Sequence, residues 1–472
     1  MNQNYISVKM SSILSSEQLT TVKKEAASLN KPTSAYIHIP FCRRRCYYCD
    51  FAISVVGDKL SGENSGTISQ YVEELCKEIQ ATPKLGASLN TVFFGGGTPS
   101  LLSVKQLNRI LEVVDKQFGI ASDAEISMEI DPRTFDLIQL QGYRNAGVNR
   151  ISLGVQAFQD ELLKISGRSH TVADIFAAVE LIGQVAFPSF SIDLISGLPY
   201  QTLQQWQESL EKVVEIAPTH VSVYDLIVEP VTAFARQYQP GVKPLPSDEM
   251  TVQMYKLAQQ ILTNAGYEHY EISNYAQSGH QCRHNRVYWE NLPYYGFGMG
   301  AASYVEGKRF TRPRTRQEYY KWVESGCQID SEELSANDIL LETLMLGLRL
   351  AEGLDLSTLL QQFGAETLNE IWTCLQPYYQ QGWVEILDEE YSGLQPVMVH
   401  QQLCAGSINA AATQTKPTGC TSLTCDPLDE LNNLPTSGRL KLTDPEGFLF
   451  SNTILAALFE QLETNNNKRR MR

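Results

Sequence analysis

The stretch Ala35-Tyr-Ile-His-Ile-Pro-Phe-Cys-Arg-Arg-Arg-Cys-Tyr-Tyr-Cys49 joins a short apolar segment to three cysteines, Cys42, Cys46 and Cys49. The apolar part is typical of a strand, and the CxxxCxxC spacing places three thiolates on the loop that follows it. Structural zinc sites and closed iron–sulfur clusters usually take four protein ligands. Three thiolates can therefore hold three irons of a [4Fe–4S] cube and leave the fourth iron open.

An open iron can take a chelating small molecule. The amino and carboxylate groups of S-adenosylmethionine meet that need, and the cluster can then pass an electron to the carbon–sulfur bond of this cofactor. Two plainer explanations remain open at this point, because the spacing alone is only moderately specific. The thiols could be incidental or buried cysteines, or they could bind zinc together with a distant fourth ligand.

A second strand pattern runs into three glycines in Thr91-Val-Phe-Phe-Gly-Gly-Gly-Thr-Pro-Ser100. Glycines at a strand end let another molecule approach the backbone closely, because no side chain intervenes. A bare glycine run is more often a turn. Here it follows the cysteine loop after one strand–helix unit, so the two motifs should lie on the same rim of one sheet.

Several further segments resemble the radical S-adenosylmethionine (radical SAM) superfamily. Within it they resemble the group that contains the oxygen-independent coproporphyrinogen III oxidases (HemN) and the HemW haem chaperones. The resemblance covers roughly Tyr36 to Val305 and keeps the family's order. Its segments are Tyr36-Ile-His-Ile-Pro-Phe-Cys, Gly95-Gly-Gly-Thr-Pro, Met128-Glu-Ile-Asp-Pro, Arg150-Ile-Ser-Leu-Gly-Val-Gln-Ala-Phe, Gly167-Arg-Ser-His and Ile192-Asp-Leu-Ile-Ser-Gly-Leu-Pro. It implies cluster ligation by the three cysteines and cofactor contacts from Tyr36, Tyr48, Gly96, Gly97, Thr98, Glu129, Gln156, Arg168 and Asp193.

Residue chemistry supports some of these implied contacts. Glu129 can accept hydrogen bonds from a cationic amino acid, Asp193 can bind ribose hydroxyls, and Arg168 can hold a carboxylate. Glu129, Gln156 and Asp193 lie in or at the end of apolar strands, where an unpartnered polar side chain is costly, and this favours a functional role. Tyr36 can also simply pack, and His38 is more typical of a hydrogen-bonded sheet residue than of a ligand.

Composition narrows the class of protein. The chain has 472 residues, 43% of them hydrophobic, which allows a large core and more than one domain. Its net charge of −15 argues against nucleic-acid binding, which needs a basic surface. No continuous apolar span of about twenty residues appears, so a cytoplasmic location is expected. Ten cysteines in so long a chain do not suggest a disulfide scaffold.

Alternating strand and helix patterns predict an α/β fold. Strands are predicted at 35–39, 91–94, 125–130, 150–155, 189–195 and 220–226, and helices at 68–81, 103–118, 136–145, 172–185, 203–215 and 248–265, the last capped by Asp248. Six βα units imply a parallel sheet, and the resemblance makes it a partial (β/α)6 radical SAM barrel. Ligands of such sheets collect at the carboxyl ends of the strands.

Four regions are predicted along the chain. They are an N-terminal polar segment (1–33), the barrel (34–275), a connecting region (276–335) and a C-terminal HemN-like domain (336–472), which should be a small helical, winged-helix-like α+β unit. Strands at 382–387 and from residue 439 should pair within it. The stretch 396–438 is predicted to be a flexible insert, because it is rich in Gln, Thr, Ser, Asn and Pro. It contains Cys404, Cys420 and Cys425 without a metal-binding spacing.

Two differences from the coproporphyrinogen oxidases decide between the branches of the group. In the coproporphyrinogen oxidases a further cysteine follows the third cluster cysteine two residues on, where this chain has Phe51. The longer N-terminal segment of the oxidases is also expected to be absent, because only 41 residues precede Cys42. Both features favour the HemW branch, for which the resemblance implies haem binding and delivery to haem-accepting apo-proteins such as respiratory chain components.

The connecting region supplies candidate haem contacts in His284, Tyr288 and Trp289, part of the signature His284-Asn-Arg-Val-Tyr-Trp289. A histidine beside aromatic rings suits a porphyrin face, although a structural histidine is equally consistent with the residue type. Cys282 and His280 are further candidates for the ligand. Cationic neighbours for the propionates would be Arg283 and Arg286.

Two other functions stay open at this stage, and with them the question of whether the chain is an enzyme. The same cluster could generate a radical that oxidatively decarboxylates coproporphyrinogen III. Alternatively, the cluster could only sense redox state or promote a homodimer. The glycine-rich aromatic run Tyr294-Tyr-Gly-Phe-Gly-Met-Gly-Ala-Ala suggests backbone passing close to a flat ligand or to the barrel mouth. The basic tail after Lys468 could weakly attract anionic lipid.

Overall fold

The computed structural model describes residues 31–58, 61–329, 334–387 and 435–470, with side chains in the last range described up to residue 464. Most of the predicted N-terminal segment and of the insert, including Cys404, Cys420 and Cys425, lies outside these residues, as do the last residues of the basic tail. The chain divides into two compact units, one ending at Ala351 and the other starting at Glu352.

Sixteen strands occur in the described residues. They are β1 (Ser34–Ile39), β2 (Phe41–Cys42), β3 (Ser54–Val55), β4 (Leu89–Gly96), β5 (Ile120–Ile130), β6 (Arg150–Gln156), β7 (Ser189–Ser196), β8 (His220–Asp225), β9 (Glu268–Glu271), β10 (Asn274–Ala276), β11 (Tyr295–Phe297), β12 (Ala302–Val305), β13 (Lys308–Thr311), β14 (Leu354–Asp355), β15 (Val384–Leu387) and β16 (Arg439–Leu442).

Fifteen α-helices occur in the same residues. They are α1 (Gly66–Ala81), α2 (Val104–Phe118), α3 (Leu137–Asn145), α4 (Asp160–Ile165), α5 (Val172–Val185), α6 (Leu203–Ile216), α7 (Ala233–Gln237), α8 (Asp248–Asn264), α9 (Arg283–Trp289), α10 (Arg316–Glu324), α11 (Ala336–Gly347), α12 (Leu356–Phe363), α13 (Ala365–Gln380), α14 (Glu446–Leu449) and α15 (Ser451–Arg470).

A nine-stranded sheet organises the first unit, in the order β11-β1-β4-β5-β6-β7-β8-β10-β9. The six predicted strands are its contiguous centre, and all of them run parallel. Strands β10 and β9 are antiparallel additions at one edge. The predicted α/β radical SAM fold with a parallel sheet is therefore confirmed.

The segment 294–302, predicted to be backbone passing close to a flat ligand or to the barrel mouth, contains strand β11. It is a seventh parallel strand, paired with β1. Gly296 within it lies against the backbone of Ala302, where a Cβ atom would collide with the carbonyl group. The glycines of this segment therefore serve close packing between strands.

Capping side chains set most helix starts. Ser103 accepts a hydrogen bond from the Gln106 backbone and completes a capping box at the start of α2. The cap of α8 was assigned to Asp248, but the side chain that accepts from the Met250 backbone is that of Ser247. Asp248 is instead the first helical residue, where its charge favours the helix dipole. The short helices α4 and α7 were not predicted.

The boundary between the two units lies after Ala351, beyond the predicted one at residue 335. Helix α11 belongs to the first unit because the chain that follows it returns to the edge of the sheet. Ile272 donates its N–H to the Arg349 carbonyl over 3.0 Å, and Ala351 donates to Tyr270 over 3.0 Å. Backbone pairing, which the composition of this segment does not reveal, thus extends the first unit.

The second unit contains a three-stranded antiparallel sheet in the order β14-β16-β15. The predicted pairing is present, with Val384 opposite Leu442 and Leu387 opposite Arg439. Helices α12, α13 and α15 supply the apolar side chains Leu359, Ile371 and Leu458, all of which are buried. Within the described part of the chain, no helix combines the length and apolar character needed to cross a membrane.

Candidate functional site

The cysteine loop begins where β1 ends. Phe41 and Cys42 pair with Ser54 and Val55, so the base of the loop is closed by two short parallel strands. The Ser54 N–H donates to the Pro40 carbonyl over 2.6 Å, which fixes the second strand of the loop. Cys42, Cys46 and Cys49 are free thiols and are partly exposed.

All three thiols line one cavity of about 400 Å³, which we call the mouth cavity. It lies at the carboxyl ends of the parallel strands, as the position of the motifs predicted. Eight of the nine predicted cofactor contacts also line it: Tyr48, Gly96, Gly97, Thr98, Glu129, Gln156, Arg168 and Asp193. The fold therefore brings together residues that are up to about 150 positions apart in the chain.

Tyr36 is the exception, because it lines a smaller cavity of about 210 Å³, the inner cavity. Glu129 and Asp193 line both cavities. The Tyr36 hydroxyl forms a hydrogen bond of 3.0 Å with His38 Nδ1, and His38 Nε2 bonds to the Ala52 carbonyl over 2.9 Å. His38 is therefore the hydrogen-bonded sheet residue that its pattern predicted.

The glycine run packs directly beneath the cysteine loop. The Gly97 N–H donates to the Ile39 carbonyl over 2.9 Å, and the Thr98 N–H donates to the Phe41 carbonyl over 2.7 Å. A Cβ atom at Gly97 would lie 2.8 Å from both carbonyl oxygens, closer than real Cβ contacts allow. The Thr98 hydroxyl also donates to Cys42 Sγ over 3.6 Å. These glycines therefore hold the loop in place as well as exposing backbone to the cavity.

Two buried carboxyl groups, those of Glu129 and Asp193, line the mouth cavity. Glu129 accepts the Gly96 N–H over 3.0 Å, and burial together with the charge of Asp193 raises its pKa to about 7. Asp193 accepts the Ser152 hydroxyl, with distances of 2.7 and 2.8 Å to its two oxygens, and burial raises its pKa above the usual value. Both ionised carboxylates would be stabilised by a cationic ligand in the cavity.

Arg168 lies between this cavity and the cysteine loop. Its guanidinium donates to Cys46 Sγ over 3.5 Å and to the Gly154 carbonyl over 2.9 Å, and it forms an ion pair with Asp131. Asp131 also lies 3.4 Å from His170 Nδ1. Burial raises the pKa of Asp131, but Arg168 and His170 lower it by more, so it lies below the usual value. Sequence reasoning missed Asp131, although it stands in the quoted segment Met128-Glu-Ile-Asp-Pro.

The donor set fits an incompletely ligated cluster better than zinc. Burial raises the pKa of Cys42 to about 12 and also raises that of Cys49, and a bound metal would favour the thiolate forms that ligate it. In the part of the chain that the structure describes, no group of three His, Cys, Asp or Glu side chains is arranged to hold a single metal ion. Three thiols around an open cavity suit the wider [4Fe–4S] core.

The signature 284–289 lies at the other end of the strands, in α9. The N–H groups of Arg283 and His284 donate to the Glu125 carboxylate over 2.9 and 3.1 Å. His284 Nδ1 bonds to the Thr91 hydroxyl over 2.7 Å, and Nε2 bonds to the Tyr288 hydroxyl over 2.8 Å. Thr91 stands near the start of β4, opposite Ser34 of β1. Helix α9 therefore closes the amino-terminal end of the barrel.

This arrangement does not suit His284 as a haem ligand. The side chain is 1% exposed, both ring nitrogens have partners, and burial lowers its pKa to about 3. Cys282 is likewise fully buried. Arg286 pairs with Glu290 over 2.7 Å, and Arg283 donates to the Asp123 carbonyl. Haem contact by His284, Tyr288 and Trp289 stays a prediction, but it has no support from this geometry.

Comparison with known proteins places the chain in a family. Residues 36–213 match the radical SAM superfamily domain, and residues 334–392 match the HemN C-terminal domain. The heme chaperone HemW of Synechocystis is 48% identical over 92% of this chain and 97% of its own length. This chain belongs to the HemW family. The HemW proteins of Bacillus subtilis and Escherichia coli are each 36% identical, over 70% and 68% of this chain and 87% and 83% of their own lengths.

Solved structures agree on the fold. The radical SAM enzyme coproporphyrinogen III oxidase (HemN) of Escherichia coli superposes with a TM-score of 0.70, covering 93% of each chain at 24% identity. The prediction of the HemW branch of the radical SAM superfamily is confirmed by the domain match and by the 48% identical relative, not by this superposition. The match to the HemN C-terminal domain starts at residue 334, within two residues of the predicted domain boundary. It extends past Ala351, where the first compact unit ends, so α11 belongs both to the family domain and to that unit.

Proposed function

We propose that this HemW-family protein is a haem chaperone that binds a [4Fe–4S] cluster, S-adenosylmethionine and haem, and delivers haem to haem-accepting apo-proteins such as respiratory chain components. The observation that carries the proposal is the match over nearly the full length of a relative named heme chaperone. The mouth cavity supports it, because the three thiols and the expected cofactor contacts converge there. Homodimer formation and attraction to lipid stay predictions.

In this proposal Cys42, Cys46 and Cys49 hold the cluster, which when bound supplies an open iron and an electron. The protein's own side chains bind and orient the cofactor. Glu129 and Asp193 present carboxylates to its cationic and hydroxyl groups, and the backbone of Gly96 and Gly97 permits close approach. The remaining contacts are assigned to Tyr36, Tyr48, Thr98, Gln156 and Arg168.

The deciding experiment uses anaerobically reconstituted full-length protein. In one arm it receives coproporphyrinogen III, S-adenosylmethionine and a reductant, and in the other it is titrated with haem and mixed with an apo-acceptor. The expected result is stoichiometric haem uptake and transfer, with no porphyrinogen turnover. Formation of protoporphyrinogen would overturn the proposal in favour of oxidative decarboxylation.

Glu129 makes cofactor binding depend on pH. Its pKa of about 7 means that it is protonated in much of the free protein below neutrality. A cationic ligand favours the carboxylate, so binding releases a proton there, and affinity should fall by roughly tenfold per pH unit below pH 7. We expect calorimetric titrations of the reconstituted protein between pH 5.5 and 7 to show this slope. Glu129→Gln should bind more weakly with a flatter profile; an equally steep profile in this variant would contradict the assignment.

A further inference from the structure

Charged and polar side chains line the inner cavity. In closed β/α barrels the interior is usually filled by layers of bulky apolar side chains. Here strands β5 to β8 instead supply polar residues to the cavity wall, namely Glu129, Arg150, Ser152, Asp193 and Ser222. Among the described residues of this wall, Arg150 is the one arginine or lysine. Its charge must be compensated by its surroundings, because an uncompensated charge in a protein interior is costly.

The guanidinium group of Arg150 is buried. Arg150 opens β6 and lies opposite Ser127 of β5 and Ser189 of β7, in the middle of the parallel sheet. The residue is 4% exposed, and its Nε has no hydrogen-bond partner among the described residues. Arginine is almost never buried to this extent without charged neighbours. The compensation must therefore come from carboxyl groups near it.

Glu125 faces Arg150 from the amino-terminal end of the barrel, and its negative charge favours the charged guanidinium. This carboxylate accepts the N–H groups of Arg283 and His284 and, over 3.1 Å, the Ser127 hydroxyl. Its hydrogen bonds thus hold α9. Glu125 contributes to the compensation of Arg150 while its own hydrogen bonds go to other groups.

The other titratable groups near Arg150 at this end are uncharged at neutral pH. Burial and the positive charge of Arg150 lower the pKa of His284 to about 3, and the same two causes hold the pKa of His220 well below its usual value. Burial raises the pKa of Cys282 to about 12 and raises that of Tyr270 well above its usual value. These four groups therefore leave the balance of charge to the carboxyl groups.

Glu129 and Asp193 face Arg150 from the cavity side. Burial and the charge of Asp193 raise the pKa of Glu129, and the positive charge of Arg150 opposes this rise. Asp193 accepts the hydroxyls of Ser152 and Ser191, and Arg150 also opposes the rise that burial causes in its pKa. Burial raises the pKa of the tyrosines of this cavity, Tyr36, Tyr224 and Tyr288, so they are uncharged at neutral pH. Arg150 is thus the cation that offsets the repulsion within the carboxyl pair.

We propose that Arg150 is a positioning residue of the cofactor site. Its charge favours the ionised forms of Glu129 and Asp193 in the free protein, so that both carboxylates are ready for the cationic cofactor. The inference rests on the proposed function, because it concerns the same S-adenosylmethionine site. Arg150 acts on the carboxyl groups through space and needs no contact with the cofactor.

The test measures S-adenosylmethionine affinity of anaerobically reconstituted full-length protein by calorimetry between about pH 5.5 and about pH 9. In the wild type, affinity should fall below about pH 7, where Glu129 becomes protonated. In Arg150→Gln the fall should begin about one pH unit higher, because a nearby opposite charge lowers a carboxyl pKa by at least this much. The variant should therefore bind about tenfold more weakly than the wild type near pH 6 and within about twofold of it near pH 9.

Two matched substitutions serve as controls. Arg150→Lys keeps the charge and should keep the pH profile of the wild type. Arg109→Gln removes an exposed charge from α2 and should also leave the profile unchanged. Iron content and circular dichroism are measured on every variant. If Arg150→Gln does not fold, Arg150→Met takes its place, because it also removes the charge.

The pH dependence separates the possible outcomes. A loss of affinity by the same factor at every pH in Arg150→Gln would show that Arg150 serves only the fold, and an unchanged profile would show that its charge does not act on the carboxyl pair. Either result would overturn the inference and leave the proposed function standing, as would failure of both uncharged variants to fold. No S-adenosylmethionine binding by the wild type at any pH would overturn the proposed function itself.

Discussion

Replacing Cys46 with serine is expected to abolish the iron–sulfur cluster. The remaining thiols, Cys42 and Cys49, leave two irons of the cube without a protein ligand, and no other cysteine lines the mouth cavity among the described residues. Iron in the anaerobically reconstituted protein should fall from about four per chain to near zero, with loss of the broad visible absorption. Iron analysis and Mössbauer spectroscopy provide the measurement.

The matched control is Cys374→Ser, which alters a partly buried thiol of the second unit. It should retain about four irons per chain, because a [4Fe–4S] core needs only the loop thiolates and the exogenous ligand. Circular dichroism of the Cys46 variant should match that of the wild type, since the loop is exposed. Cluster retention in the variant, or a wild type without a cubane spectrum, would refute the assignment of the loop.

Replacing Glu78 with glutamine is expected to destabilise the first unit severely. Glu78 is fully buried on α1 and pairs with the buried Arg312 over 2.7 Å. It also accepts the Gly298 N–H over 2.8 Å and the Tyr319 hydroxyl over 2.6 Å, so it ties α1 to segments more than two hundred residues away. Removing its charge leaves Arg312 buried and unpaired, which costs about 3–5 kcal/mol.

Urea unfolding monitored by circular dichroism measures this loss. The control is Glu215→Gln, which breaks an exposed pair with Lys212 of similar length and should change the free energy of unfolding by less than about 1 kcal/mol. The comparison keeps the chemical change constant and varies only burial. Equal effects of the two substitutions would show that the Glu78 pair does not hold α1 to the sheet.

Strand and helix patterns were sufficient to predict the parallel sheet, and the family resemblance implied that it forms a partial barrel. The strands alternate with amphipathic helices, and buried parallel strands are continuously apolar, so β1 and β4 to β8 stand out in the sequence. The strand at the edge of the sheet, β11, was harder to predict. Strand β11 is three residues long and glycine-rich, so its place beside β1 depends on backbone hydrogen bonds that leave no periodic pattern. The extension of the first compact unit to Ala351 likewise depends on backbone hydrogen bonds that leave no pattern in the sequence.

The site residues also divide into those that the sequence could predict and those that it could not. The cysteines and the Gly95-Gly-Gly-Thr-Pro run are contiguous in sequence and sit at strand ends, which is why their meeting in one cavity was predictable. Asp131 was overlooked, because its importance comes from its contact with Arg168 across 37 positions. His284 was a candidate haem ligand because aromatic residues follow it in the sequence. Its hydrogen bond to Thr91 could not be predicted, because Thr91 is nearly two hundred positions away.

The amino-acid sequence by itself determined the cluster loop, the parallel βα order and the family, because each depends on local spacing and periodicity. Only the tertiary structure decided which polar groups are already satisfied. Long-range contacts occupy both nitrogens of His284, hold Arg168 against Cys46 and leave Phe51 and Ile227 uncovered. Hydrogen-bond satisfaction and burial are properties of neighbours in space, and a residue's type and its position in the chain do not specify those neighbours.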